Sequence, residues 1–235
     1  MLNNGFMARF YKAISIFIML IFTSFGVYSD QSTASFTVAE NTERLAPIKL
    51  LVLGDSLSAA YGLTQEEGWV SLLQNMLQQT SQTQHITVVN GAISGETTDG
   101  GLSRLPRLLK LHNPTHVLIE LGGNDGLQGH SIKKLKNNLM QLVQVTKTFG
   151  AQAFLQQMQI PTNYGRRYNT MFINAFAQTA ELSAIPLIPF FLEDIALQPE
   201  LMQNDGIHPT AEAQPMIAEF MHENLVVPYL LNNAG

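Results

Sequence analysis

The sequence has 235 residues, of which 46% are hydrophobic, and this length and apolar content suit one globular domain with a sizeable core. The formal net charge of −5 and the scarcity of basic clusters argue against a nucleic-acid partner. Cysteine is absent, which excludes disulfide bonds, thiolate nucleophiles and cysteine-ligated metals, and the spacing of the histidines predicts no metal site.

The N-terminus has the organisation of a secretory signal. An apolar run over residues 13–27 follows basic residues, and small residues come after it. The run is shorter than the ~20 apolar residues that span a membrane, so residues 1–29 are predicted to be a signal peptide. Cleavage is expected after Ser29 or Ala34, and an anchor that stays attached is the alternative. The predicted location is the periplasm or the outside of the cell.

Residues 30–46 are polar and lack a hydrophobic period, which predicts a flexible leader before a single domain over residues 47–235. Within that domain, short apolar runs alternate with stretches of helical period, which predicts a doubly wound parallel sheet with helices on both faces. The strands are predicted at residues 48–53, 86–89, 115–121, 151–160 and 185–190. Four helices are predicted at residues 67–80, 131–149, 168–182 and 209–225. One more helix, the second in chain order, is predicted to follow a loop that ends at residue 101 and to extend to residue 109.

Prolines and glycines refine this prediction. Pro106 is placed early in the second helix, where its missing N–H does least harm, and Gly150 is predicted to cap the third helix. Pro186 and Pro189 suit an edge strand, so the fifth strand is expected at the border of the sheet.

Breaks in the pattern follow three successive strands. The first strand ends in Gly54-Asp55-Ser56, and Gly95 and Asn124 lie in the loops after the next two strands. Because the carboxyl ends of parallel strands share one edge of a sheet, these residues are expected to converge there. A serine at that edge is a candidate nucleophile, and a simple turn is the structural alternative.

Asp205 and His208 precede the last predicted helix and are candidates for the rest of a catalytic site. Asp205 can accept from one imidazole nitrogen, which leaves the other nitrogen to take the proton of Ser56. Serine at its free pKa is a weak nucleophile and needs such a base. A helix cap and a surface histidine are the structural alternatives. The N–H of Ser56, Gly95 and the amide of Asn124 are candidate donors to the oxyanion.

The chain resembles the SGNH (GDSL) hydrolase family in four ordered blocks, which are Gly54-Asp55-Ser56-Leu57, Gly95, Gly122-Gly123-Asn124-Asp125 and Asp205-Gly206-Ile207-His208. It lacks the Gly-x-Ser-x-Gly motif of α/β-hydrolases around Ser56. The resemblance runs from about residue 48 to about residue 226. Within the family, the chain is most similar to a bacterial periplasmic subfamily that combines arylesterase, thioesterase and lysophospholipase activities; the segments that carry this similarity are 56–63, 121–127, 163–168 and 208–217.

The resemblance implies a three-layer α/β/α, flavodoxin-like fold with a five-stranded parallel sheet. It implies that Ser56 is the nucleophile, that His208 and Asp205 are its partners, and that Ser56, Gly95 and Asn124 form the oxyanion hole. The implied enzyme is a monomer that needs no metal, cofactor or obligate protein partner. Its expected substrates are aryl esters, lysophospholipids and acyl-CoA, which it would hydrolyse through an acyl-enzyme.

Four residues are predicted to contact the acyl chain, and two of them, Tyr61 and Leu63, lie just past the nucleophile. Tyr61, Leu63, Met158 and Phe190 are the candidates, with core packing as the alternative for Met158 and Phe190. The segment 159–164, which is short for the subfamily, is expected to border the acyl groove. Two other functions stay open, namely a carbohydrate deacetylase of the same fold and a flavodoxin-like binding module without catalysis.

Overall fold

A five-stranded parallel sheet forms the centre of the protein in the computed structural model, which describes residues 45–232. The strands lie in the order β2-β1-β3-β4-β5, and every neighbouring pair is parallel. The strands are β1 (Ile48–Gly54), β2 (Ile86–Asn90), β3 (His116–Glu120), β4 (Gln152–Gln156) and β5 (Leu187–Ile188). The predicted fold class is confirmed. The predicted signal peptide and residues 30–44 of the predicted leader lie outside the described residues.

Helices cover both faces of the sheet. α1 packs against α6, and α4 packs between α2 and α5, so that the sheet lies between two helical layers. The helices are α1 (Trp69–Leu77), α2 (Thr98–His112), α3 (Gly123–Leu127), α4 (Ile132–Phe149), α5 (Arg166–Ser183) and α6 (Gln214–Met221), and a π-helix (His222–Leu231) follows them. Among residues 45–232, no helix combines the length and the apolar character needed to cross a membrane.

β1 and β3 occupy the centre of the sheet because their sequences are apolar on both faces. Residues 50–53 of β1 are fully buried, and all of β3 is buried. Parallel strands between two helical layers require such continuous apolar runs. The short strand β5 lies at an edge between Pro186 and Pro189, as predicted, since a proline cannot donate to a neighbouring strand.

The second helix differs from its prediction. α2 begins at Thr98 and not after Gly101, so Pro106 lies in its interior rather than near its start. Its first turn is held by Asp125, which accepts hydrogen bonds from the backbone N–H and the hydroxyl of Thr98 at 2.8 and 2.6 Å. Gly101 is buried where a Cβ would collide with Leu121. Close packing therefore explains this glycine, which in the sequence is typical of a loop.

The prediction is also wrong at three other boundaries. Residues 123–127 form the short helix α3 and not a loop, and β4 ends at Gln156 instead of Ile160. α6 starts later than Pro209, because Pro209 forms an isolated antiparallel bridge with Met202. The cap at Gly150 is confirmed, since this residue ends α4 with a φ of 96°.

Candidate active site

Ser56 lies in the tight turn that follows β1. The carboxylate of Asp55 accepts a hydrogen bond from the N–H of Leu57 at 3.0 Å. The backbone carbonyl of Asp55 accepts a hydrogen bond from the N–H of Ala59 at 2.9 Å. An aspartate that bonds the backbone two residues ahead stabilises a turn of this kind. The turn places Ser56 on the wall of a cavity at the carboxyl edge of the sheet.

The imidazole of His208 joins Ser56 to Asp205. Its Nε2 lies 2.8 Å from the Oγ of Ser56, and its Nδ1 lies 2.7 Å from the Oδ2 of Asp205. The other carboxylate oxygen accepts from the N–H groups of Ile207 and His208 at 2.9 and 3.0 Å. Nδ1 therefore donates to the carboxylate, which leaves Nε2 free to accept the serine proton.

Hydrogen bonds keep Asp205 ionised. Burial raises the pKa of this carboxyl, but the donors on His208 and Ile207 outweigh that effect and lower the pKa to about 2. The loop itself is tied down by Gln203, whose N–H donates to the carbonyl of His208 at 2.7 Å. The side-chain amide of Gln203 also donates to the carbonyl of Tyr61 at 2.9 Å, so the loop that carries the histidine is joined to the one that follows the serine.

Tyr61 packs against the imidazole. The two rings are stacked with their centroids 4.2 Å apart and their planes at 30°. Tyr61 is about half exposed and lines the cavity, so its ring covers one face of His208 at the mouth of the site. Leu63 does not line the cavity, in contrast to the prediction. The chain reverses before it, with Ala60 and Gly62 both at positive φ and the N–H of Leu63 bonded to the carbonyl of Ala60.

Two backbone N–H groups on the wall of the cavity are available to a ligand. Those of Ser56 and Gly95 donate to no acceptor within residues 45–232, and both residues line the cavity. Gly95 has a φ of 79°, which favours glycine, and no protein atom lies within 4 Å of the place where its Cβ would be. Free N–H groups in a concave site are the donors that an oxyanion requires.

The amide of Asn124 is the third predicted donor. Its Nδ2 donates to the Oδ2 of Asp55 at 3.2 Å and to the carbonyl of Glu96 at 3.0 Å. An amide nitrogen has two hydrogens, so both are engaged in the free protein. An oxyanion would have to compete for one of them.

Arg104 of α2 holds the loop that carries Gly95. Its guanidinium forms an ion pair with the side chain of Glu96 and donates to the carbonyl of Gly91 at 3.0 Å. A Cβ at Gly100 would collide with the same Glu96 carboxylate. Neither Arg104 nor Glu96 could be recognised from the sequence, because their relation depends on where α2 begins.

The cavity has a volume of about 660 Å³, within the range typical of small-molecule sites. Met158 and Phe190 line it, as predicted, and so do Gln159, Ile160, Pro161 and Thr162 of the segment expected to border the acyl groove. Leu192, which follows Phe190 closely in the sequence, also lines it, and the other apolar residues of the wall were not predicted from the sequence, namely Leu57, Leu127, Ala196, Met202 and Ile207. In the described part of the chain, no group of three histidine, cysteine, aspartate or glutamate side chains is arranged to hold a metal ion.

Comparisons with known proteins find relatives in sequence and in structure. Residues 52–214 match the GDSL-like lipase/acylhydrolase family. An arylesterase from Vibrio mimicus is 49% identical over 178 residues, which cover 76% of this chain and 88% of that protein. Thioesterase 1/protease 1/lysophospholipase L1 from Escherichia coli K12 is 46% identical over 176 residues, which cover 75% of this chain and 82% of that protein.

A solved structure gives the same result. The psychrotrophic esterase EstA from Pseudoalteromonas sp., in a crystal structure inhibited by monoethylphosphonate, superposes with a TM-score of 0.74. It is 48% identical in sequence, and the match covers 79% of this chain and 99% of that chain.

Proposed function

The chain belongs to the GDSL-like lipase/acylhydrolase family, and on this premise we propose that it hydrolyses carboxylic esters and thioesters with Ser56, His208 and Asp205 as its catalytic residues. The observation that carries the proposal is the unbroken chain of contacts from the serine hydroxyl through the imidazole to the carboxylate, at 2.8 and 2.7 Å. A serine with such a base is an activated nucleophile.

In the proposed reaction, Nε2 of His208 takes the hydroxyl proton while Oγ of Ser56 attacks the substrate carbonyl carbon. The oxyanion receives hydrogen bonds from the N–H groups of Ser56 and Gly95 and from Asn124. The imidazolium, stabilised by Asp205, then protonates the leaving alkoxide or thiolate, and an acyl-enzyme forms. Water deprotonated by His208 attacks the acyl carbonyl, and the serine regains its proton as the acid leaves.

The apolar wall of the cavity supports acyl chains longer than acetyl as the preferred substrates. Met158, Ile160, Phe190 and Leu192 are among the apolar residues of the lining, whereas a sugar substrate would need polar partners there. We therefore propose aryl esters, acyl thioesters such as acyl-CoA and lysophospholipids as substrate classes, and place the carbohydrate deacetylase second.

The proposed location is the periplasm or the outside of the cell, and the proposed state is a monomer without an obligate protein partner. The location depends on the basic, apolar and small-residue organisation of residues 1–29.

The test is the rate of hydrolysis of p-nitrophenyl esters from acetate to palmitate by the wild-type protein and Ser56→Ala. We expect hydrolysis that peaks at medium or long chains and falls at least about 10³-fold in the variant. Activity confined to acetate would favour the deacetylase, and wild-type turnover in Ser56→Ala would refute the assignment of the nucleophile.

A further inference from the structure

Two buried carboxyl groups lie directly behind the nucleophile. Glu120 is the last residue of β3 and has no exposed surface, and Asp55, which follows β1, is 2% exposed. Glu120 is the register partner of Gly54 across the sheet. Burial of two acids side by side is costly. Neither carboxyl takes part in the proton transfers proposed above, so those transfers do not explain why the pair is there.

Gly54 leaves the space that the carboxyl of Glu120 fills. A Cβ at Gly54 would lie 2.5 Å from the Oε2 of Glu120 and 2.8 Å from the Cβ of Ser58. Real side chains do not approach so closely, so with Glu120 and Ser58 placed as they are, position 54 requires glycine. The glycine of the Gly54-Asp55-Ser56 turn is thus explained by the residue opposite to it.

The hydrogen bonds of Glu120 fit a neutral acid. Its Oε2 accepts from the hydroxyl of Ser58 at 2.6 Å and from the N–H of Asp55 at 3.2 Å, whereas its buried Oε1 has no donor. In the described residues, no lysine or arginine forms an ion pair with either carboxyl. A carboxylate would leave Oε1 both charged and unsatisfied, but a carboxylic acid carries a proton that it can donate.

The carboxylate of Asp55 is the acceptor of that hydrogen bond. Burial raises the pKa of Glu120 well above its usual range, and the charge of Asp55 and the hydrogen bond between the two side chains raise it further. Burial also raises the pKa of Asp55, to about 6, although the N–H of Leu57, the imidazole of His208 and the hydrogen bond from Glu120 oppose the rise. Two carboxyls buried side by side, with no lysine or arginine paired to either within the described residues, do not both ionise readily, so the pair is expected to hold one proton and one negative charge at neutral pH.

The carboxylate of Asp55 accepts two hydrogen bonds that position groups of the site. Its Oδ1 accepts from the N–H of Leu57, which fixes the turn that carries Ser56, and its Oδ2 accepts from the amide of Asn124. Both contacts need an acceptor, and both would weaken if the carboxyl rotated or took up the proton.

We propose that Glu120 is a positioning residue that remains a neutral carboxylic acid and donates a hydrogen bond to Asp55, which thereby stays anionic and holds the turn of Ser56 and the amide of Asn124 in place. The role in catalysis rests on the proposed function. Glutamine can accept and donate at the same two places, so the proposal predicts that Glu120→Gln is tolerated far better than an apolar residue of similar size.

The first test compares Glu120→Gln and Glu120→Met in the full-length chain, with Gln156→Met as the matched control. Gln156 is also a fully buried polar residue at the end of a central strand, and it does not line the cavity. With p-nitrophenyl butyrate, we expect Glu120→Met to lower kcat about 10- to 100-fold at little change in KM, since misplacement of catalytic groups by ~1 Å has such an effect.

Glu120→Gln is expected to recover about tenfold or more of that loss in kcat. Equal losses in the two variants, or a similar loss of kcat in Gln156→Met, would overturn the proposal. The melting temperature of each variant is measured in parallel, which shows whether Glu120→Met is misfolded. If it is misfolded, the kcat of Glu120→Gln is compared with that of the wild type.

The second test observes the proton itself and does not depend on activity. A protonated carboxylic acid has a carbonyl stretching band in the infrared that a carboxylate lacks. At pH 7, the difference spectrum of wild type against Glu120→Gln is expected to contain this band, and that of wild type against Gln156→Met is not. Absence of the band from wild type would overturn the proposal. If the protein hydrolysed no ester at all, the proposed function would fail while this spectrum still reported the state of Glu120.

Discussion

Substitution of Asn124 by alanine tests the third oxyanion donor. Loss of one such donor lowers kcat by about 10²–10³-fold, or ~2.7–4 kcal/mol. In this protein both amide hydrogens already have acceptors, at 3.2 Å on Asp55 and at 3.0 Å on Glu96. Donation to an oxyanion therefore replaces an existing hydrogen bond with a net contribution of about 1 kcal/mol. We therefore expect Asn124→Ala to reduce kcat about 100-fold, which is the lower end of the range given above.

The assay is steady-state hydrolysis of p-nitrophenyl butyrate, with kcat and KM determined separately. The effect is expected in kcat, because the oxyanion exists only after attack on the carbonyl. Asn224→Ala is the matched control, since Asn224 also donates its amide to a backbone carbonyl, that of Phe220, and does not line the cavity. A loss of less than about fivefold in kcat, or a loss confined to KM, would refute the role of Asn124.

Three other substitutions test the supports of the site. Arg104→Gln removes the ion pair with Glu96 and should lower kcat about tenfold by loosening the loop of Gly95, whereas the exposed Arg107→Gln should not; equal effects would contradict this reasoning. Gly54→Ala forces a Cβ against Glu120 and should lower the free energy of unfolding by ~1–3 kcal/mol, which denaturant titration measures; an unchanged midpoint would argue against the tight fit. The pKa of Asp205 is lowered from 3.8 to about 2, so its contribution to stability is present above about pH 4 and is lost as the pH falls towards 2. Asp205→Asn should remove that part of the acid dependence of the melting temperature, and an identical dependence in both proteins would count against it.

The convergence of the site could be predicted because it follows from strand order. Ser56, Gly95 and Asn124 follow β1, β2 and β3, and the carboxyl ends of parallel strands meet at one edge whatever the details of packing. The pairing of Asp205 with His208 could be predicted from their spacing, since both lie on one turn of chain. To predict the contact of His208 with Ser56, which is 152 positions away, the resemblance to a family was needed as well.

The supports of the site could not be predicted, because they depend on tertiary contacts between residues with ordinary local patterns. Glu120 is a single acid in an apolar run, and nothing in the sequence indicates that Gly54 lies opposite to it. Gly101 resembles a loop residue but is buried in α2. Leu63 lies close to Ser56 in sequence, yet the positive φ angles before it turn it away from the cavity.

Covalent labelling of the full-length protein with a p-nitrophenyl alkylphosphonate tests most directly whether Ser56 is an activated nucleophile. The labelled residue is identified by mass spectrometry of the peptides. A phosphonate ester traps an activated serine, and the related esterase EstA was crystallised in a form inhibited by monoethylphosphonate. We predict one adduct, on the peptide that contains Ser56, that is absent from Ser56→Ala and forms at least about 10²-fold more slowly in His208→Ala. Labelling of another residue would contradict the assignment of Ser56 as the nucleophile, and equal rates in wild type and His208→Ala would contradict the assignment of His208 as its base.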